Sequence, residues 1–162
     1  MTLNPYAPPN AKVAENAGER ISPPLWNPNA AANWSLLFSP AFGAFLHMKN
    51  WKALDQPSKA TSAKVWFALC LVVLVGLWLM VVMLPDTKQL AGSARIVGFL
   101  LLIVWYFGSA RAQASYVKMH FGNDYPRRGW LKPLAVAVLV FLALIVIVTF
   151  LTVVWKSSHA RS

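Results

Sequence analysis

From Pro133 to Trp155 the chain reads PLAVAVLVFLALIVIVTFLTVVW, with no charged residue and only Thr149 and Thr152 as hydroxyls in 23 positions. A helix rising about 1.5 Å per residue carries this run across roughly 34 Å, slightly more than the ~30 Å hydrocarbon core of a bilayer. Val136, Val138, Val140 and the block Ile145 to Val148 would suit a strand in water. Lipid, however, gives a lone strand no partners for its N–H and C=O groups, so the run is expected to be helical. Val65 to Leu84 supplies 20 uncharged, mostly apolar residues closed by Pro85 and Asp86. Ile96 to Ala110 is shorter, at 15 residues, or about 23 Å of helix. Arg95 and Arg111 can snorkel from its ends, and Leu90 to Ala94 and Ala112 extend it. The pattern predicts an all-α membrane protein with three transmembrane helices, spanning about 65–84, 95–111 and 133–155.

Ahead of the spans the punctuation changes. Asn27 is a good N-cap and Pro28 suits a first helical turn, and Ser39 with Pro40 repeats the arrangement in kind. Two short helices follow, roughly Pro28 to Phe38 and Pro40 to Leu54. Neither apolar stretch runs 18 residues unbroken, so the two are expected to form an interfacial or re-entrant helical pair. A single crossing from Ala31 to Met48 is the competing reading. The segment from Asp55 to Ser58 closes this unit and caps the next helix. Residues 1–26 are Pro-rich with little periodicity and read as a disordered or extended tail. Beyond Arg111 the helix is expected to continue through Gln113, Tyr116, Val117 and His120 until Gly122 and Asn123 break it. The organisation is thus a tail (1–26), a helical pair (27–55), a three-helix transmembrane domain (56–156) and a short tail (157–162).

A net charge of +10 in 162 residues raises the question of nucleic acid. The positions of the charges answer it: no Lys or Arg lies in 65–85, 96–110 or 133–155. Basic residues flank apolar runs, as in membrane topology signals, and no nucleic-acid partner is expected. Eleven of the fifteen Lys and Arg residues fall before Lys64 inclusive or between Arg111 and Lys132. That bias predicts a cytoplasmic N-terminus and a C-terminus outside. No signal-peptide pattern opens the chain, so insertion is expected to rely on the internal spans. Trp66, Trp105, Tyr106, Trp130 and Trp155 lie near span ends, where aromatic anchors sit. Trp78 lies deeper, and Cys70 reads as a small core or lipid-facing residue.

Candidate chemistry is sparse. Ionisable groups inside a bilayer are costly and mark function, yet no span interior carries one, and the runs contain no GxSxG, P-loop or HExxH pattern. His120 and Asp124 are four apart, but Gly122 is expected to end the helix between them, and Ser115, His120 and Asp124 form no recognisable relay. No catalytic residue, metal ligand or cofactor is assigned, and the chain reads as a non-enzyme. Two features stand above background. One is the aromatic helical pair, with Trp34, Phe38, Phe42, Phe45 and Trp51. The other is the loop from His120 to Trp130, with Tyr125, Arg127, Arg128 and Trp130. Both fall on one side of the membrane, so Trp34, Phe38, Phe42, Trp51, Tyr125, Arg127, Arg128 and Trp130 form a candidate contact surface. Attraction of its basic groups to anionic lipid is the plainer alternative.

The stretch W-N-P-x-A-A-x-x-W-S-L-L-F-S-P-x-F-G, Trp26 to Gly43, together with YPRRGW, Tyr125 to Trp130, resembles small uncharacterised bacterial inner-membrane proteins. The two stretches make up 24 of the 162 residues. It implies a bacterial source and an inner-membrane location, and no activity. The expected function is contact with a protein or with lipid, with the bilayer and a protein partner or self-association as partners. A concrete form is an immunity protein that neutralises a membrane-acting toxin. The rivals are a subunit of an oligomeric pore or transport complex, packed through Gly76, Gly98 and Gly108, and a lipid-modifying enzyme using the 120–124 loop.

Overall fold

The computed structural model describes residues 22–83 and 88–159. The described residues form α1 (Pro28–Phe38), α2 (Pro40–Ala53), α3 (Pro57–Met83), α4 (Lys88–Trp105), a π-turn (Tyr106–Ala110), α5 (Arg111–Phe121) and α6 (Leu131–His159). Three continuous helical stretches are long and apolar enough to cross a membrane: Pro57–Met80, Gln89–Phe121 and Leu131–Ser158. The chain is an all-α, multi-pass membrane protein preceded by a short helical pair. The predicted tail over 1–21, the turn at Pro85 and Asp86 and the last three residues lie outside the described residues.

Local chemistry sets the helix ends. Asn27 Oδ1 accepts from the N–H groups of Asn29 and Ala30, at 3.0 and 3.3 Å, two donors the first turn cannot pair itself. Ser39 behaves differently from its sequence twin. Its hydroxyl caps nothing; its backbone does the work at φ 142°, with N–H donated to Ser35 O and its own carbonyl accepting from Phe42 N, both 3.1 Å. That break rules out one helix across 31–48. With 11 and 14 residues, α1 and α2 are also each too short to cross alone. After α2, Asp55 turns through a left-handed φ of 53°, and the Gln56 carbonyl accepts the first bond of α3 from Ala60 N at 2.9 Å. Gly122, at φ 61°, ends α5 where the sequence predicts.

Helices α1 and α2, the start of α3 and the end of α5 pack into a cap. α2 is its centre, burying Ala41, Ala44, Leu46, His47, Met48, Asn50 and Trp51. The buried residues of the returning helix are Trp105, Ser109, Ala110, Gln113 and Val117. In an unbroken α-helix Val117 would sit about 120° around the axis from Trp105. The extra residue of the π-turn removes about 100° of that offset, so Trp105, Gln113 and Val117 all face the cap. Gly108, inside the π-turn, makes room for the Trp66 ring, which a Cβ there would strike.

Two sequence expectations change here. Trp105 is not an interfacial anchor: it is fully buried, packed against Ala32 and Ala44 and beside the His47 ring at 5.5 Å. Gly43 permits this, since a Cβ there would collide with the Trp105 ring and Ser35 Oγ. Ser22 to Trp26, grouped by composition with the tail, is folded. Leu25 is fully buried and forms a parallel bridge with Arg127.

α6 differs from the rest. No described side chain along it is buried, and Leu139, Val146 and Phe150 are about two-thirds exposed, at 67%, 68% and 66%. Among the described residues nothing approaches Gly76 or Gly98 closely enough to meet an added Cβ, so neither glycine mediates packing between described segments of one copy.

Candidate functional site

The interior of the cap holds a polar cluster built from residues far apart in sequence. Asn50 faces the extended segment before α1 and binds both backbone polar groups of one residue. Trp26 N–H donates to Asn50 Oδ1 at 3.1 Å, and Asn50 Nδ2 donates to Trp26 O at 2.7 Å. The same Nδ2 reaches Gln113 Oε1 at 3.2 Å, and Gln113 Nε2 donates to the His47 carbonyl at 2.9 Å. One amide thus supplies what a neighbouring strand would supply, and a second ties α2 to α5. Buried amides need such partners, because each one left unpaired costs about 1–3 kcal/mol.

His47 lies beside this cluster, fully buried. Its Nε2 is 3.3 Å from Pro28 O, so Nε2 carries the proton and the ring is neutral. Burial drives its pKa down from 6.5 to about 4, against a smaller upward pull from the Pro28 carbonyl. Nδ1 has no hydrogen-bond partner among the described residues, and neither does the buried Nε1 of Trp105.

On the opposite side of the extended segment lies the 120–130 loop. Leu25 N donates to Pro126 O at 2.9 Å, and Arg128 N donates to Leu25 O at 2.8 Å. Arg128 adds Nε to Pro24 O at 2.8 Å and places its guanidinium 4.8 Å from the Trp26 ring centroid. Trp26 Nε1 donates to Gly129 O at 3.1 Å. The segment from Ser22 to Asn27 is therefore a strap, held by Asn50 within the cap and by the loop outside it.

The structure divides the candidate contact residues. Trp34, Phe38, Phe42 and Trp130 come together as a half-buried aromatic strip, with successive ring centroids 6.2 Å (Trp34–Phe38), 5.2 Å (Phe38–Phe42) and 6.4 Å (Trp34–Trp130) apart. Tyr125 and Arg127 pair at 5.7 Å on the loop. Burial raises the Tyr125 phenol above its usual pKa, and Arg127 pulls it down by less. Arg128 is spent on the strap. Trp51 is 3% exposed and packs edge-on against Tyr116 at 5.0 Å, so it belongs to the core.

His120 Nδ1 is 2.9 Å from Tyr116 O, within its own helix, and its ring stacks on Tyr116 at 4.0 Å. Asp124 lies beyond the Gly122 turn, exposed and without an ion pair among the described residues. Ser115, His120 and Asp124 are not linked by hydrogen bonds. Among the described residues no three of His, Cys, Asp and Glu gather as a metal-holding group.

His47, Asn50 and Gln113 escaped the sequence reading. The available signal was a His and an Asn one turn apart, on the helix that also carries Lys49 and Lys52, with a lone Gln past the end of a predicted span. Comparison with protein-family models, curated proteins and solved structures gives no match to this chain.

Proposed function

We propose that this chain is a non-enzymatic bacterial inner-membrane protein that acts by contact with a protein partner or its own copies, and with lipid. The observation that supports this is how the fold spends its polar groups. The buried amides of Asn50 and Gln113 serve internal bonds, while the whole of α6 is left uncovered and apolar and the strip Trp34, Phe38, Phe42 and Trp130 is apolar and only half-buried. An exposed apolar surface of this kind is covered either by lipid or by another protein.

The bacterial source follows from the resemblance of Trp26 to Gly43 and Tyr125 to Trp130. The bias of Lys and Arg puts the cap and the N-terminus in the cytoplasm and the C-terminus in the periplasm. A cysteine at Ser162 that reacts only from the cytoplasmic side would reverse that orientation. The concrete form of the proposal is immunity against a membrane-acting toxin. It is dropped if deleting the gene leaves cells equally sensitive to the products of neighbouring genes.

The broader reading is tested with photo-crosslinking residues in place of Phe42 and Val146, in cells. Expected is a discrete adduct of constant mass from at least one position. No adduct from either, together with rapid ion or solute flux from the purified protein in liposomes, would replace contact by a pore.

A further inference from the structure

A cleft of about 330 Å³ lies between the first turns of α3 and the segment from the π-turn to the end of α5. Its wall includes Lys59, Ser62, Ser109, Ser115, Tyr116 and His120, with Trp51, Gly108, Ala112 and Met119 completing it. Tyr116 forms the floor of the polar end: the Lys59 ammonium stands 4.1 Å above its ring, His120 stacks on it at 4.0 Å, and Trp51 meets its edge. Lys59 also stands 4.8 Å over the Trp51 ring. It is four residues from Asp55, a spacing that allows an ion pair, yet it forms none among the described residues. The ammonium thus rests on two aromatic rings in the wall of the cleft, with no carboxylate partner among the described residues.

The hydroxyls give a second, independent sign. In a helix with apolar surroundings a serine or threonine normally returns its hydroxyl to a carbonyl one turn back. Ser35, Thr61, Ser93 and Thr152 do so, at 2.9, 3.0, 3.0 and 2.7 Å. Ser62, Ser109 and Ser115 do not; they share that state with Ser58, in the first turn of α3, and Thr149 on α6. Three serines from two helices therefore line one cleft with their donors uncommitted.

The cleft is also graded along its length. α3 leaves the cap as α5 returns to it, so Lys59 lies level with Tyr116 and His120, while Trp66 closes the far end against Gly108. Lys59, His120, Ser62 and Ser115 lie toward the cap end, and Gly108, Ser109 and Ala112 lie toward the span. This polarity matches that of a phospholipid standing beside a membrane helix.

We propose that the cleft between α3 and α5 binds an anionic phospholipid, its headgroup phosphate held by Lys59, Ser62 and Ser115 and its acyl chains directed along Ala112 and Gly108. The proposal names a lipid partner for the contact role above and rests on that reading only for the presence of the bilayer. An exposed positive charge beside hydroxyl donors able to turn toward phosphate oxygens fits a phosphate anion.

The full chain, released gently from membranes and observed by native mass spectrometry, is titrated with phosphatidylglycerol, phosphatidylcholine and inorganic phosphate. Expected is saturable retention of phosphatidylglycerol over phosphatidylcholine, weakened about five-fold in Lys59→Gln, the loss expected for one basic residue near a membrane surface. The double variant Ser62→Ala with Ser115→Ala should weaken it by a few-fold, and Lys52→Gln, an exposed basic residue outside the cleft, should leave it unchanged. Equal losses in Lys59→Gln and Lys52→Gln, or equal retention of the two lipids, overturn the site. Inorganic phosphate competing as well as the lipid overturns the lipid assignment. Thermal melts of each variant separate loss of binding from loss of fold. A pore or an enzyme would leave the lipid titration standing, so failure of the contact reading and failure of this site are distinguishable.

Discussion

The cap and α6 stand at opposite extremes within one short chain. In the cap, small residues admit large rings: Gly43 accepts Trp105, Gly108 accepts Trp66, and Asn50 and Gln113 stitch three segments together. α6 is longer and more apolar than any other helix, and no described side chain on it is buried by the rest of the chain. Hydrophobicity alone therefore does not decide what packs in this protein. A side chain surrounded by lipid is already out of water and gains little more from touching a neighbouring helix, so tight packing needs shape or hydrogen bonds as well. The cap has both.

The sharpest way to break this comparison is to remove the ring at its centre. Trp105→Ala should destabilise the fold by about 3–5 kcal/mol, since the ring is fully buried and the Gly43 and Ala44 backbone cannot collapse into the space. Denaturant unfolding in detergent, followed by tryptophan fluorescence with Trp66→Phe as a control, reads this directly. A loss under about 1 kcal/mol would mean that the cap is loosely packed.

Next in size is the acid response of His47. Its pKa lies near 4 in the fold and near 6.5 in the unfolded chain. Between those values the unfolded chain binds a proton that the fold refuses. Stability from this group is therefore complete above pH 6.5 and falls as pH drops toward 4, by up to about 3 kcal/mol. Stability measured from pH 7.5 to 4 should decline more steeply for the native chain than for His47→Gln. Parallel curves would show that the ring takes up a proton within the fold.

Much of the architecture was legible because helix boundaries depend on local chemistry. Asn27 with Pro28, the turn at Asp55 to Pro57 and Gly122 each act within a few residues, and the apolar runs needed only length. What sequence hid depends on partners far away. Trp105 sits at the end of a short apolar run and looks like an anchor; only the contact with Gly43 makes it core. The π-turn leaves no periodic signature of its own, because it corrects the phase between Trp105 and Val117, and that phase matters only once both face α2. Ser22 to Trp26 looks like tail by composition, since the groups that fold it are the Asn50 amide and the backbone around Arg127. The aromatic strip was half visible: Trp34, Phe38 and Phe42 recur at helical spacing, whereas Trp130 joins them only through the loop.

Asn50→Ala tests the stitching itself. It leaves both backbone polar groups of Trp26 unpaired and takes away the amide that donates to Gln113 Oε1. A loss of about 2–3 kcal/mol is expected, with faster amide exchange at Leu25 and Arg128, whose N–H groups close the strap against the loop. Unchanged exchange at those two amides would mean the loop holds the strap without help from α2.

The smallest expected effect is the most informative about α6. Leu144 is 53% exposed, and Leu144→Ala would cost about 2–5 kcal/mol in a packed core. On a helix whose neighbours are acyl chains it removes contacts that lipid or detergent replaces, so the change should stay within about 0.5 kcal/mol. The same should hold for Val146→Ala and Leu139→Ala on other parts of the surface. Uniformly small values mean that lipid surrounds the helix on all sides. One residue with a loss above about 1.5 kcal/mol, dependent on protein concentration in the membrane, would mark the face that a second chain covers, because only association makes stability depend on concentration.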